Sequence, residues 1–178
     1  MSSTGEADLL ARAREGDKAA FEGLLEPVIG MAARLAYAML LDRMEAEDVV
    51  QDAAVKAWRR LGNVRPGSDF KPWFLGIVAN ECRTVRRGRW WSTVRLDHPM
   101  ATDTAGPEAA AVRVADLRQA LTRLPADQRA AVLLHFYLDL PLDEVATSLG
   151  ISVAGAKSRI NRAFKRLRPA LTSGEVLT

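Results

Sequence analysis

The stretch that most constrains the fold is residues 142–168, where two apolar-periodic runs are separated by a tight turn. The first run ends at Gly150, a residue type that commonly terminates helices. Ser152 follows at the position of a helix N-cap, and a second, longer run begins at Val153. Two helices joined by a short glycine-containing turn are the sequence form of a helix-turn-helix. The sequence therefore predicts a DNA-binding unit near the C-terminus.

The second helix of this unit has one apolar face and one basic face. At 100° per residue, its apolar residues share a stripe that must face a core. No Asp or Glu lies between Lys157 and Arg168. Because a solvated helix usually mixes both signs, the basic face indicates a polyanion partner rather than simple solvation. The predicted core stripe is Val153, Ala156, Ile160, Ala163, Phe164 and Leu167, and the opposite arc carries Ala154, Gly155, Ser158, Asn161, Arg162 and Lys165.

The rest of the chain is also predicted to be helical. No segment shows the sustained alternation of apolar and polar residues that a strand would need. Residues 97–111 combine Pro, Gly, Thr and Ala with three acids and no Lys or Arg, a composition typical of a linker. We therefore predict an all-α fold with two small helical domains, at 1–96 and 112–178, joined by a flexible acidic linker. The predicted helices span about 7–15, 19–41, 46–61, 70–89, 112–124, 126–138, 142–149 and 153–171.

Composition narrows the functional classes. The chain has 178 residues and a formal net charge of +3, which suits a soluble protein of one or two small domains. Cys82 is the only cysteine, so neither an intrachain disulfide nor a thiolate zinc site can form. A buried small residue is the simplest role for it, with a redox sensor as the alternative. Since the N-terminus has no apolar signal core and no apolar run approaches about 18 residues, we expect a cytoplasmic protein without membrane insertion.

Residues 42–61 predict an amphipathic helix whose polar side carries Asp48, Gln51 and Asp52. Taken alone, that side is a solvated face, and two acids four residues apart do not indicate catalysis. The sequence has no Ser-His-Asp set, metal-ligand cluster or phosphate-cradling glycine loop, so we predict no catalytic residue, metal or cofactor. The predicted buried side of the helix is Val49, Val50, Ala53, Ala57, Trp58 and Leu61.

Residues 70–91 predict a helix whose character changes along its length. It begins with an apolar stripe, and beyond Glu81 every charged residue is an arginine, up to the pair Trp90 and Trp91. Arginine side chains neutralise phosphates, and exposed aromatic rings stack on unpaired bases. The segment therefore suits melted or distorted DNA, with packing of the two tryptophans at a domain edge as the alternative.

In their order and spacing, these segments resemble bacterial RNA polymerase sigma factors of the extracytoplasmic-function (ECF) type, the minimal members of the sigma-70 superfamily. The resemblance covers roughly residues 8–170. It implies two helical DNA-binding domains and a promoter-specificity subunit of core RNA polymerase, without catalysis or a small-molecule substrate. Its strongest motifs are DRMEAEDVVQDAAVKAW (42–58), FKPWFLGIVAN (70–80) and LPADQRAAVLLHFYLDLPLDEVATSLGISVAGAKSRINRAFKRLR (124–168).

The resemblance also implies roles for particular residues. Asp48, Gln51 and Asp52 would contact the clamp coiled coil of the largest polymerase subunit. The loop at 62–69 and the helix after it would hold the melted minus-ten element, with one flipped base entering the loop. The residues implied beside that strand are Asn80, Arg83, Arg86, Arg87 and Trp90, and those implied at the minus-thirty-five duplex are Lys157, Ser158, Asn161, Arg162 and Lys165.

Three departures from the family pattern concern promoter sequence rather than fold. Gly155-Ala156 stands where the family usually has Thr-Val, Thr84 stands where Asp is frequent, and Ala79 stands where Arg is frequent. Pro72 and Gly76 are also atypical within the helix at 70–89. The resemblance implies promoter DNA, core polymerase and an anti-sigma protein as partners.

Two other interpretations stay open. One is a sigma mimic that binds an anti-sigma protein without DNA, although such a mimic would be expected to lose the basic surfaces that this chain keeps. The other is a stand-alone helix-turn-helix regulator, which would bind a palindromic duplex without polymerase and leave residues 42–91 unexplained.

In the sigma interpretation, we expect the free protein to bind promoter duplex poorly, because polymerase must space two tethered domains.

Overall fold

A computed structural model of the chain describes residues 3–64, 69–93 and 117–172, and the regular structure within those ranges is helical throughout. The all-α prediction is therefore confirmed. The predicted linker at 97–111 and both of its domain boundaries lie outside the described residues. The helices are α1 (Ser3–Arg14), α2 (Lys18–Leu40), α3 (Arg43–Arg59), α4 (Phe70–Thr93), α5 (117–122), α6 (Ala126–Val132), α7 (Leu142–Leu149) and α8 (Val153–Thr172), with a 3-10 turn at Leu61–Asn63 and a π-helical segment at Leu133–Tyr137 after α6.

Helix α2 is the central element of the N-terminal half, where it contacts α1, α3 and α4. Asp17 begins it as an N-cap, accepting a hydrogen bond from the Ala20 N–H at 3.1 Å. An 18-residue window of α2 has a mean hydropathy of 1.3, so by length and composition α2 could cross a bilayer, and the expectation that no such run exists is wrong. Its apolar residues face the neighbouring helices instead, as expected of a core helix. Those buried are Ala20, Phe21, Leu24, Val28, Ala32, Leu35, Ala36, Met39 and Leu40.

Helices α3 and α4 complete this half. Asp42 caps α3 by accepting from the Glu45 N–H at 3.0 Å. The predicted buried side of α3 is confirmed except at Trp58, which is half-buried. Pro72 is buried in the first turn of α4, where a missing N–H leaves no helical bond unmade. The ring of Phe70 stacks on that of Phe74 with centroids 5.7 Å apart, and both are fully buried.

The helix-turn-helix at 142–168 is confirmed. Helix α7 ends at Gly150, which adopts the left-handed conformation with φ +63°. The Ser152 hydroxyl then caps α8 by accepting from the Gly155 N–H at 3.1 Å. The predicted core stripe is wrong at Val153 and Phe164, which are 48% and 40% exposed. Val153 is the first residue of α8, and the Phe164 ring packs edge-on against the exposed Phe136 ring, with centroids 5.2 Å apart. The other residues of the stripe are buried as predicted: Ala156, Ile160, Ala163 and Leu167.

The N-terminal half (α1 to α4) and the C-terminal half (α5 to α8) pack against each other through α4 and α7. The sequence analysis did not predict this contact. Lys71 Nζ lies 2.8 Å from Glu144 Oε2. At Gly76 the two backbones approach so closely that a Cβ atom would overlap the carbonyl oxygen of Ser148. This contact, formed by Lys71 and Gly76 of α4 with Glu144 and Ser148 of α7, is called the joint below. It supplies the reason for the atypical Gly76, because only glycine permits that approach.

Arg129 of α6 extends the contact between the halves to α2. Its guanidinium is buried and donates to the Met39 carbonyl of α2 at 2.8 Å and to the Leu121 carbonyl at 2.6 Å. Burial, and secondarily the charge of Arg86, lower the pKa of Arg129 to about 9. Within the part of the chain that the structure describes, no carboxylate pairs with this guanidinium, and burying an unpaired cation is costly. Among the described residues, the contact between the halves therefore includes a buried guanidinium whose desolvation is unfavourable.

A single methyl group at Gly76 is expected to disrupt the joint. Overpacking by Gly76→Ala costs roughly 1–3 kcal/mol, which exceeds the ~1 kcal/mol that alanine contributes through helix propensity. We expect a lower melting temperature, or separated halves with a larger radius of gyration in small-angle X-ray scattering. Gly30→Ala is the matched control, since a Cβ there meets nothing within 4 Å. Identical melting and scattering of the two variants would contradict the packing of α4 on α7.

Candidate nucleic-acid interface

The outward face of α8 collects the residues predicted to contact duplex DNA. Ala156, Ile160 and Ala163 are buried beneath it, and their contacts with α6 and α7 set the rotation of the helix. The opposite side must therefore point to solvent. All five predicted residues lie on that side and are exposed: Lys157, Ser158, Asn161, Arg162 and Lys165.

The charge on this face is of one sign. Helix α8 contains no Asp or Glu, and Arg166 and Arg168 are exposed beside the five residues named above. Arg159 is turned toward the protein, where its Nε lies 3.6 Å from Asp127 Oδ2. The Arg162 Nε donates to the Ser158 carbonyl at 3.3 Å, which holds the guanidinium against the helix. An exposed, acid-free face of this kind attracts phosphates and can place side chains against base edges.

Helix α4 divides the predicted minus-ten residues into separate groups. Asn80, Arg83 and Arg87 follow one another at intervals of three and four residues on one side of the helix, with Asn80 and Arg87 exposed. The Arg83 guanidinium donates to Asn80 Oδ1. Arg86 points elsewhere: its Nη2 donates to the Thr122 carbonyl of α5 at 3.3 Å, between the two halves. The side chain of Trp90 lies outside the described residues.

A second exposed surface lies on α3, and part of it carried no sequence signal. Asp48, Gln51 and Asp52 are exposed, as predicted for its polar side. Met44 is 77% exposed and Val55 49% exposed, and both fall on the same side of the helix at the 44, 48, 51, 55 spacing. The four side chains form an exposed stripe in which Met44 and Val55 flank two polar residues.

His135 and Cys82 have chemically reactive side chains, but the first is hydrogen-bonded to the backbone and the second is buried in the core. The His135 Nδ1 lies 2.7 Å from the Leu140 carbonyl, next to the π-helical segment. Cys82 is fully buried in the core of the N-terminal half, and burial raises the pKa of its thiol to about 12. Within the described residues, no group of three or more His, Cys, Asp or Glu side chains is placed to hold a metal ion.

Cys82 is expected to resist thiol reagents in the folded protein. The thiolate is the reactive form, so a pKa raised to about 12 lowers its fraction at pH 8. Relative to an ordinary cysteine with a pKa of about 8.5, the thiolate fraction falls roughly a thousandfold. Labelling by iodoacetamide at pH 8 should be negligible in native protein and complete in 6 M guanidinium chloride. Rapid labelling of the native protein would show an accessible thiol and restore the redox-sensor alternative.

The comparisons with known proteins agree with this arrangement. A family model described as Sigma-70 region 2 matches residues 24–92, and one described as Sigma-70, region 4 matches residues 115–167. The RNA polymerase sigma-H factor of Pseudomonas aeruginosa is 32% identical over 190 residues, covering 96% of this chain and 96% of that protein. The ECF RNA polymerase sigma factor SigM of Mycobacterium tuberculosis is 34% identical over 165 residues, covering 91% of this chain and 82% of that protein.

Two solved structures share the fold over most of the chain. CnrH in complex with the cytosolic domain of CnrY has a TM-score of 0.72 at 26% identity, covering 95% of this chain and 98% of that one. The sigma factor RpoE, in complex with the anti-sigma factor NepR from Bartonella quintana, has a TM-score of 0.68 at 27% identity. That match covers 85% of this chain and 96% of the other. The chain matches two sigma-70 regions in order, and its relatives are similar to it over nearly the whole length. It therefore belongs to the ECF group of RNA polymerase sigma factors.

Proposed function

We propose that this chain is a promoter-specificity subunit that binds core RNA polymerase and directs it to promoters with particular minus-thirty-five and minus-ten elements. The observation that carries the proposal is the acid-free, exposed face of α8, which is held outward by a buried apolar stripe. The subunit supplies recognition, and the polymerase supplies the catalysis. It acts in the cytoplasm, where the polymerase and the DNA are found.

The minus-thirty-five element is contacted as duplex DNA by α8. Lys157 and Lys165 neutralise phosphates and so set the position of the helix in the groove. Asn161 and Arg162 lie between them on the same exposed face. An asparagine amide can pair with an adenine edge, and an arginine fork with a guanine edge. Base selection is therefore assigned to these two side chains.

The minus-ten element is contacted as a melted strand along α4. Asn80 and Arg87 are separated by about 10 Å of helix, with Arg83 between them. A polar amide followed by two guanidinium groups suits a strand that offers unpaired base edges and phosphates in succession. Arg86 joins this group only after its guanidinium leaves the Thr122 carbonyl.

The free protein is proposed to bind promoters weakly. In the structure, the joint holds α4 against α7, so the two DNA-binding faces have one fixed relative position. We propose that polymerase separates the halves so that both promoter elements can be bound, and that part of the binding free energy is consumed in doing so. Nanomolar binding of the isolated protein to a promoter at physiological salt would contradict this proposal.

An anti-sigma protein is proposed as the second partner. The similar structure of RpoE was solved with the anti-sigma factor NepR, and the similar CnrH was solved with the cytosolic domain of CnrY. Exposed apolar side chains of the kind that protein partners cover occur on both halves of this chain, at Met44, Val55, Phe136 and Tyr137.

The proposal is tested by core binding and promoter binding measured together. Labelled protein is titrated with core polymerase in a fluorescence anisotropy assay, and the resulting complex is added to promoter fragments in a gel-shift assay. A sigma factor should bind core and shift promoter DNA only as the complex. Core binding without any promoter shift would favour the sigma mimic. A specific promoter shift without core would favour the stand-alone regulator.

A further inference from the structure

The C-terminal half contacts α4 at three points along its length. In the first turn of α4, Lys71 forms an ion pair with α7, and further along Gly76 lies against the backbone of Ser148. Beyond these two, the Arg86 guanidinium donates to the Thr122 carbonyl of α5 at 3.3 Å. The stretch of α4 from Lys71 to Arg86 is about 22 Å long. Separation of the halves therefore requires the three contacts to break together.

Two features of the contact favour closure. The missing Cβ of Gly76 allows the backbones of α4 and α7 to touch. Buried apolar residues of both halves also form one continuous cluster, which extends from Leu10 in α1 to Ile160 in α8. Removing apolar surface from water is the main favourable contribution to packing of this kind. The closed arrangement is therefore stabilised by shape and by apolar burial.

Two buried polar side chains oppose closure. Ser148 is buried, and within the described residues its hydroxyl has no hydrogen-bond partner. Arg129 is buried as well, and its Nη2 is likewise unpaired in the described part of the chain. Ser148 lies where α7 touches α4, and Arg129 lies where α6 meets α2. A polar atom that loses water and gains no partner destabilises the state that buries it, so both groups favour separated halves.

Repulsion between two cations adds to this cost. Burial first, and the positive charge of Arg86 second, lower the pKa of Arg129, so the closed contact holds two guanidinium groups that repel each other. The hydrogen bonds from Arg129 to the Met39 and Leu121 carbonyls act in the opposite direction. Contributions of both signs therefore meet in one contact, and the closed state differs from a separated state only by their small net free energy.

We propose that the contact between the halves is an autoinhibitory contact that opens and closes in the free protein, without polymerase. Gly76 permits the closed state, and the unpaired groups of Ser148 and Arg129 keep its free energy close to that of an open state in which the halves are apart. The inference deepens the proposed function and rests on it for the word autoinhibitory, because the closed state fixes the two DNA-binding faces and holds Arg86 against Thr122. The competing explanation is one rigid body that does not open by itself.

The first test is single-molecule fluorescence energy transfer between dyes on the two halves of the whole free chain. The dyes are attached through Ala33→Cys on α2 and Ala154→Cys on α8, which are exposed positions, while the buried Cys82 stays unlabelled. We expect two populations of transfer efficiency that interconvert, one closed and one open. A single population, at any efficiency, would overturn the proposal.

Substitutions on the two sides of the joint should shift these populations in opposite directions. Ser148→Ala removes the unpaired hydroxyl and should raise the ratio of closed to open protein about fivefold or more. Gly76→Ala should lower that ratio about fivefold or more, because the added methyl overlaps the Ser148 backbone. Thr147→Ala is the matched control: it deletes an exposed hydroxyl from the same helix and should leave the ratio unchanged. A ratio in Ser148→Ala that equals the control, or that shifts toward open protein, would overturn the proposal.

A charge exchange at the joint tests the same equilibrium without any change in the core. Lys71→Glu places two carboxylates together and should lower the ratio of closed to open protein roughly two- to fivefold, since the Lys71–Glu144 pair is only partly exposed. Adding Glu144→Lys should restore most of the wild-type ratio. An unchanged ratio in Lys71→Glu would overturn the joint as the closing contact, and the proposal with it.

Core binding separates the inference from the function on which it rests. Ser148→Ala should lower the affinity for core polymerase by the same factor as it lowers the open fraction, because only the open state is competent to bind. If the populations shift as expected but the wild-type protein binds no core, the proposed function fails and the equilibrium between closed and open protein stands. If core is bound equally tightly by wild type and by a more closed Ser148→Ala, the autoinhibitory role is overturned and the proposed function stands.

Discussion

Reversal of the charge at Asp48 on α3 is expected to abolish core-dependent transcription. Asp48 is exposed on the stripe flanked by Met44 and Val55. Placing a like-charged or unpaired side chain in a buried protein contact typically costs 2–5 kcal/mol, which is roughly a 30- to 5,000-fold loss of affinity. The fold should be unaffected, since surface substitutions usually change stability by about 0.5 kcal/mol or less. The measurements are core affinity, run-off transcription and the melting temperature of Asp48→Arg.

The matched control is Glu22→Arg, which reverses another exposed acid, on α2. It should leave core affinity and transcription near wild type. Val55→Asp provides an independent check, because it removes apolar contact area from the same stripe without altering Asp48. Wild-type core affinity in both Asp48→Arg and Val55→Asp would exclude this side of α3 as the polymerase contact.

Loss of the Arg162 side chain is expected to weaken minus-thirty-five recognition and to relax it at one base pair. A bidentate arginine–guanine contact is worth about 1–3 kcal/mol, so Arg162→Ala should lower the affinity of the holoenzyme roughly 5- to 150-fold for its best promoter. Affinity for promoters with another base at that position should change little. Lys165→Ala should instead weaken all sequences alike and reduce the slope of log affinity against log salt by about one.

These expectations are checked by holoenzyme binding to duplexes that vary at each minus-thirty-five position, measured at several salt concentrations. Lys18→Ala, at an exposed lysine at the start of α2, controls for the general loss of positive charge. If Arg162→Ala and Lys165→Ala produced the same uniform loss across all sequences, the assignment of base selection to Arg162 would be wrong.

The helix-turn-helix and the exposed face of α8 were predictable because their signals are local. Gly150 and Ser152 specify the turn through a left-handed conformation and a side-chain cap. The period of the apolar residues then specifies which side of α8 is buried. The predicted core stripe is wrong at Val153 and Phe164. Periodicity indicates which side of a helix faces the core, but it does not indicate how much of that side the neighbouring helices cover.

The contacts that hold distant segments together were not predictable. Arg129 donates to a carbonyl 90 residues away, and Glu6 accepts from an N–H 64 residues away. In the sequence, Arg129 lies within an apolar run and Glu6 lies in the first turn of a helix. Neither position indicates that the side chain contacts a distant segment rather than solvent. Gly76 is a clear example. The residue is required because it has no Cβ, and the backbone that occupies the position of that atom belongs to Ser148 of α7.

The most direct test of the sigma assignment is run-off transcription by core polymerase on a pool of the host's genomic promoters, with and without this protein. We expect a defined subset of promoters to initiate only when the protein is present, with start sites at a constant distance from shared minus-ten and minus-thirty-five elements. Asp48→Arg should eliminate that subset. Transcription that is the same with and without the protein, although core binding is measurable, would contradict the assignment.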